Sequence, residues 1–352
     1  MRARQFRLLV FGAALHGLSA VAQRSPFNGL EVLPADRSGH YRILIGGHFH
    51  GESSNRSGYP ASTLLANLDT INSLGAHLLL STGDLYMDAK KDSARYARAL
   101  FSKLKVPFYN APGNHDGAGA LGSVLLASEF GYQDTVPAGH DALVQHVHAF
   151  SVLILNTEHA DGKLDEQALA QLEGLGEHER NAVFIVSHRP IWAEDDPLYT
   201  DLFKDNTRSL TGTNFQSEVY PIIQQIAKHA HVYWISGSLG GQAPSSIFFQ
   251  RHAPNITYIQ CAIRDEPRDA LLIADVYPDS VKWSALSLTG QQLEAPETYD
   301  AAWWRERVGK EEAFNWRLLP YLVKKTVTRS EFWWGAASGI ILLLLVRRWY
   351  RR

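Results

Sequence analysis

Short apolar runs, each long enough for one buried strand and no more, recur along the middle of this 352-residue chain, with helix-patterned stretches between them. Tyr41–Gly47 (YRILIGG), His77–Ser81 (HLLLS), Val106–Asn110, Ser151–Asn156 (SVLILN), Ala182–Ser187 (AVFIVS) and His231–Ile235 (HVYWI) read as strands. Leu64, Leu65, Leu68, Ile71 and Leu74 fall at helical spacing within Ser57–Gly75, with Gly75 as a stop signal. Asp92 is placed to cap a helix whose face is Ala97, Leu100, Phe101 and Leu104. Helices are also expected at Asp165–Leu175 and Asn214–Ala230. Strands with less helix between them follow at Ser246–Gln250, Thr257–Ala262, Ala270–Val276 and Ser280–Leu288. Strand–helix alternation that gives way to a run of strands predicts a layered α/β domain with two packed sheets over about 40–290.

The two ends of the chain are of a different kind. A basic start, Met1 to Arg7, precedes an uncharged apolar run, Leu8 to Ala22, that closes on Ala20-Val21-Ala22. This order predicts a signal peptide over 1–22, because 15 apolar residues are short for a span and the Ala-x-Ala ending suits a peptidase. A second apolar run, Phe332 to Val346, precedes Arg347-Arg-Trp-Tyr-Arg-Arg352. It predicts a transmembrane anchor over 331–350. Trp333, Trp334, Trp349 and Tyr350 would sit at the interfaces and the arginines on the cytoplasmic side. The body between would then lie outside the cytoplasm, in a periplasm or on the outer face. A buried core helix and a sorting tail removed by processing are the alternatives. Residues 299–330, rich in Trp and Lys/Arg, are expected to form a membrane-proximal helical connector, or else a helix packed on the domain.

Charge and cysteine narrow the chemistry. Between the two apolar ends stand 27 Lys+Arg against 36 Asp+Glu, near −9, which disfavours a nucleic-acid partner. The single Cys261 excludes an internal disulfide framework and a cysteine-built zinc site. The body has no Gly-x-Ser-x-Gly elbow for a serine hydrolase.

Reactive side chains gather at the ends of the expected strands. His48-Phe49-His50-Gly51 follows the first, Gly83-Asp84 the second, Gly113-Asn114-His115-Asp116 the third and His188-Arg189-Pro190 the fifth. Carboxyl ends of strands in an open α/β sheet line the ligand crevice, so these groups can converge. Imidazoles with a carboxylate suit manganese, zinc or iron, and a carboxylate between two ions can bridge them. Each group also has a plain reading: paired polar residues in a turn for His48 and His50, a cap for Asp84, a tight turn at 114–116, a satisfied core histidine for His188. His146 and His148 read as residues of a surface strand, and Arg189 as one partner of a structural salt bridge. Asn55-Arg56-Ser57 and Asn255-Ile256-Thr257 match glycosylation sequons.

The order of these motifs resembles the calcineurin-like metallophosphoesterase family, whose pattern is Asp-x-His, Gly-Asp, Gly-Asn-His-Asp/Glu, a lone His and Gly-His-x-His, each at a strand end. The likeness covers Ile43 to Gly241, and Gly113-Asn114-His115-Asp116 is its specific part. The family's fold, a two-layered mixed β-sheet sandwich flanked by helices, agrees with the α/β reading. The resemblance implies one or two divalent metal ions, with Asp84 bridging, His50 on the first ion, and Asn114 and His188 on the second. It implies that His115 acts on the leaving oxygen or the phosphoryl group rather than on metal, and that the ions activate a water to attack phosphorus. The expected substrate is a phosphate ester on a small molecule, a lipid or a glycan. Two departures stand out. His48 replaces the family's Asp, which keeps a ligand and removes a charge. Gly237-Ser238-Leu239-Gly240 replaces the last motif, so both its histidines are gone and each ion loses a ligand. His48, His50 and Asp84 would remain for one ion, and Asp84, Asn114 and His188 for the other. The alternative is a catalytically inactive module of this fold with a binding or assembly role in the envelope.

Overall fold

The computed structural model describes residues 24–32, 35, 37–116, 142–147 (backbone only), 150–176, 181–203, 211–240, 242–308, 316 and 319–351. The expected signal peptide and His148 lie outside these residues. Two mixed sheets form the body. One has the order β11-β10-β1-β2-β3, built from β1 (Tyr41–Gly46), β2 (Leu78–Ser81), β3 (Phe108–Asn110), β10 (Ala270–Val276) and β11 (Val281–Ser287). The other has the order β4-β5-β6-β7-β9-β8, built from β4 (Ala142–Val147), β5 (Phe150–Leu155), β6 (Ala182–Ser187), β7 (His231–Ser236), β8 (Ile247–Ala253) and β9 (Ile256–Cys261). β1, β2 and β3 run parallel, as do β5, β6, β7 and β9, while β4, β8, β10 and β11 pair antiparallel.

Side-chain alternation sets the layers. Ile43 and Ile45 of β1, with Leu78 and Leu80 of β2, join Val152, Phe184 and Trp234 of the other sheet in one core. The intervening Leu44 and Leu79 face outward and pack under helical Leu64, Ile71, Leu100 and Phe101. Both faces of the central strands are thus buried, which is why they read in sequence as continuous apolar runs. Because the parallel strands of each sheet share a direction, their carboxyl ends open on one edge.

Local details depart from the sequence reading for identifiable reasons. The stretch expected as one helix divides into Ser62–Ala66 and Leu68–Ser73. The break falls at Asn67, whose Nδ2 donates to the carbonyls of Thr63 and Leu288, both at 2.8 Å. Asp92 is not the cap of its helix. That helix starts at Ala89 after Asp88, and Asp92 reaches back from the first turn to accept the Asp88 N–H at 3.1 Å. In the 299–330 stretch, Asp300 caps Ala301–Arg307 by accepting from the Trp303 N–H at 2.9 Å. Trp304 of that helix is buried and donates its Nε1–H to the Ile247 carbonyl. A second helix, Leu319–Val327, leads to a third, Ser330–Tyr350, which is long and apolar enough to cross a membrane.

The opposite edge, at the amino end of β7, holds His231. Its ring stacks on Tyr233 at 4.2 Å, and its Nε2 lies 2.8 Å from the Thr257 hydroxyl. Burial, and secondarily the Arg251 charge, push its pKa down from 6.5 to about 4. As pH falls below 6.5 the unfolded chain takes up this proton and the folded chain does not, so stability is lost progressively until about pH 4. Thermal melts of the wild type and His231→Gln between pH 7 and 4 should show a shallower decline in the variant; parallel declines would contradict this.

Candidate metal centre

The loops after β1, β2, β3 and β6 meet at the shared edge. His48 follows Gly47 in the left-handed region, φ 53°, and its N–H donates to the Gly83 carbonyl at 2.8 Å. Asp84 is also left-handed, φ 55°. Non-glycine residues adopt this conformation at a cost, and such strain concentrates at functional sites. Asp84 Oδ1 accepts the His115 backbone N–H at 3.0 Å, which fixes the rotation of the carboxylate. Its Oδ2 then faces three imidazoles: His48 Nε2 at 3.4 Å, His188 Nε2 at 3.4 Å and His50 Nε2 at 3.7 Å. Two glycines permit this approach. A Cβ on Gly113 would run into the backbone and carboxylate of Asp84, and one on Gly83, φ 96°, would lie 2.5 Å from His188 Nδ1.

The cluster is buried: Asp84, His48, His50 and His188 are each at most 5% exposed. His188 has its Nδ1 2.9 Å from the Thr82 carbonyl, which assigns the proton to Nδ1 and leaves the Nε2 lone pair toward Asp84. Both ring nitrogens of His48 and of His50, and Nε2 of His188, have no hydrogen-bond partner among the described residues. Burial, aided by the neighbouring histidines and Arg264, holds His48 well below the ordinary histidine range even against the pull of Asp84. Burial alone would raise the Asp84 carboxyl, but His188, His50 and His48 together hold it well below the usual carboxylate range. The result is an ionised carboxylate ringed by imidazole nitrogens left without partners. Buried polar atoms left unmade cost about 1–3 kcal/mol each, and a divalent cation would satisfy several at once. The donor set therefore fits a metal.

Supporting residues hold the loops. Asp116 accepts from the N–H groups of Tyr86 and Gly113 and from Asn110 Nδ2, at 2.9–3.0 Å, so it staples the 113–116 turn to its neighbours. Burial, then the charge of Asp84, raises its pKa. Asn55 is 3% exposed and donates Nδ2–H to the carbonyls of His50 and Tyr59. Its sequon is therefore occupied by packing and closed to a glycan in the folded chain. Arg189 forms the expected buried salt bridge, with Nε and Nη2 on the two oxygens of Glu158 at 2.9 and 2.8 Å.

The expected site residues come together around Asp84, and two ligand triads can be picked out among them. His48, Asp84 and His188 offer ligand atoms within 4.8 Å of one another, as do His50, Asp84 and His115. His48 lies between His50 and the Thr82-tethered His188, with ring centroids 5.4 and 5.5 Å away, and His50 also lies against His115 at 5.0 Å. His115, expected to contact substrate rather than metal, is thus also within ligand reach. It is half-buried, with Nδ1 3.4 Å from the Met87 carbonyl. Asn114 is half-buried in the same turn. At the lost motif, Ser238 is buried with φ 36°, and the Leu239 carbonyl accepts from Arg264 Nη1 at 2.9 Å. Arg264 had no place in the sequence reading. Its one signal was position, three residues beyond β9 at the same carboxyl-end edge.

This arrangement of two mixed sheets with a histidine–aspartate cluster at the strand ends is that of a metallophosphoesterase. Residues 48–211 match the family described as calcineurin-like phosphoesterase. Among solved structures, a dimetal phosphatase from Danio rerio is similar at 15% identity and TM-score 0.51, over 70% of this chain and 96% of the other. GAP50 of Plasmodium, titled the anchor in the inner membrane complex, aligns at 11% identity and TM-score 0.48, over 72% and 86%. The purple acid phosphatase PPD1 from yellow lupin aligns at 12% identity and TM-score 0.47, over 75% and 54%. No curated protein sequence matches the chain.

Gly113→Ala forces a methyl group against Asp84 and tests the packing of the site directly. It should destabilise the fold by about 1–3 kcal/mol in urea titrations and weaken divalent-metal retention. A variant with wild-type stability and metal content would refute the tight contact.

Proposed function

We propose that the chain is a membrane-anchored, exported, metal-dependent phosphoesterase. The observation that carries this reading is the Asp84 carboxylate facing three buried imidazole nitrogens at the carboxyl ends of the sheet. His48, Asp84 and His188 would hold one divalent ion, and His50 and Asp84, with Asn114 or His115, a second; manganese, zinc and iron all suit the donors. Such an ion, when bound, lowers the pKa of a coordinated water and offsets negative charge on the phosphoryl group. The chain's own residues supply the rest. Asp84 keeps its charge at neutral pH and orients the imidazoles. Where Asn114 completes the second ion, His115, more open than the others, would give a proton to the leaving oxygen. Arg264 is close enough to act electrostatically on His48, and brings positive charge to the side from which the two family histidines are missing. It suits contact with a phosphate oxygen. Export rests on the signal-like start, and anchoring on the apolar helix Ser330–Tyr350.

The second reading, an inactive module, is favoured by the absence of those same two histidines, and one experiment separates the two. The full-length protein, purified in detergent, loaded with manganese and dialysed, should retain at least one ion per chain and hydrolyse an aryl phosphate. Asp84→Ala should lose both, the metal by more than about 100-fold in affinity, since loss of a residue merely supporting a ligand already costs 10–100-fold. A wild type that retains metal without hydrolysis supports the module. Full activity in Asp84→Ala would sink the phosphoesterase assignment.

A further inference from the structure

The helix that leads into the membrane span is fastened to the rim of the metal site. Lys325 Nζ lies 2.7 Å from Glu52 Oε1 and 3.3 Å from Asp265 Oδ2. Arg329 Nη2 lies 3.4 Å from the same Glu52 oxygen. The pairing is sheltered: the Lys325 side chain is 10% exposed and that of Asp265 4%. Glu52 stands two residues after His50 and Asp265 one after Arg264, so both anchors belong to the loops that carry the site. Asp265 also accepts the Thr63 N–H at 3.1 Å, and helix Ser62–Ala66 packs on Leu319–Val327.

This clip leaves no slack. Arg329 immediately precedes the helix Ser330–Tyr350, whose 21 residues rise about 31 Å, its apolar part Phe332–Val346 about 22 Å against a hydrocarbon core of about 30 Å, with the flanking Trp and Arg side chains at the interfaces. The residue at the start of the span therefore touches the residue next but one to His50. Two residues of backbone and two side chains set the separation, which places His50 within about 20 Å of the span's first turn. The exposed face of Leu319–Val327 agrees. Leu319, Val323 and Val327 recur every fourth residue and are exposed, whereas Lys325 points to the domain. That apolar stripe, continuous with the span, is suited to lie in the bilayer interface, with the site's loops one helix diameter, about 10 Å, above it.

We propose that the clip Lys325–Glu52/Asp265 holds the metal-bearing edge at the bilayer surface, so that the substrate is a phosphate ester carried by a membrane lipid. This rests on the phosphoesterase reading. Water would add to phosphorus and its bond to the leaving oxygen would break, the leaving oxygen taking a proton: a lipid monophosphate would leave the lipid alcohol in the leaflet, a lipid diphosphate the lipid monophosphate, with phosphate released in either case. A soluble substrate needs no such placement, whereas a headgroup confined to the interface cannot reach a site held far from it.

The test uses full-length protein in phosphatidylcholine nanodiscs that carry either phosphatidate or a polyprenyl diphosphate, with a soluble aryl phosphate as reference. At least one lipid probe should be cleaved. Lys325→Ala/Arg329→Ala should lose tenfold or more of that rate while keeping aryl phosphate hydrolysis. Cleavage of the soluble probe alone, or equal loss on both, would overturn the proposal. Placement has its own readout. Cys261 is buried and its thiol is pushed up to about 12 by burial, so a nitroxide can be directed to Ser54→Cys or to Asp279→Cys on the opposite edge. Nickel chelated on lipid headgroups should relax the first label strongly and the second weakly, and the double variant should reduce that contrast. Equal relaxation overturns the placement. Contrast intact with no hydrolysis of any probe overturns the phosphoesterase reading and the substrate class, and leaves the placement standing.

Discussion

One carboxylate organises the functional edge of this protein. Asp84 is buried, ionised and held in rotation by the His115 N–H, and it presents its second oxygen to His48, His50 and His188. Taking a carboxylate out of water costs several kcal/mol unless charge or hydrogen bonds compensate, and here the compensation is left to imidazoles whose own burial opposes protonation. The left-handed turns at His48 and Asp84 and the glycines at 83 and 113 all serve this convergence. A cation at Oδ2 resolves the imbalance that the protein atoms alone leave open.

The two sheets explain why these loops meet. Parallel strands in both sheets end on the same side, and each motif follows such an end directly. Each side chain of the cluster is therefore positioned by a strand buried on both faces, with no freedom to slide. The loop after β9 adds Arg264 and Asp265 to that edge, and through Asp265 the edge is tied to the helix that precedes the long apolar helix Ser330–Tyr350. The metal-binding candidates and the apolar C-terminal helix are thus joined through one loop, which is what links site and membrane as proposed.

Much of this was legible in the residues. Continuous apolar runs marked the central strands because burial on both faces removes the alternation that would otherwise confuse them with amphipathic segments. The motifs at strand ends announced His48, His50, Asp84, His115 and His188. The orientation of their rings was not legible. That of His188 depends on the Thr82 carbonyl, a contact 106 residues apart in sequence. Arg264 was missed for a similar reason, since a lone arginine in a loop has no pattern until the fold sets it beside Leu239. The split at Asn67 and the role of Asp92 turned on single side-chain hydrogen bonds, which spacing does not encode.

The central claim is that a cation belongs at Asp84 Oδ2. Anomalous X-ray scattering from crystals of the protein grown with manganese addresses it most directly. A peak in contact with Asp84 Oδ2 and the Nε2 atoms of His48 and His188 is the predicted result. Featureless anomalous density there, with the imidazoles turned away from the carboxylate, would contradict it.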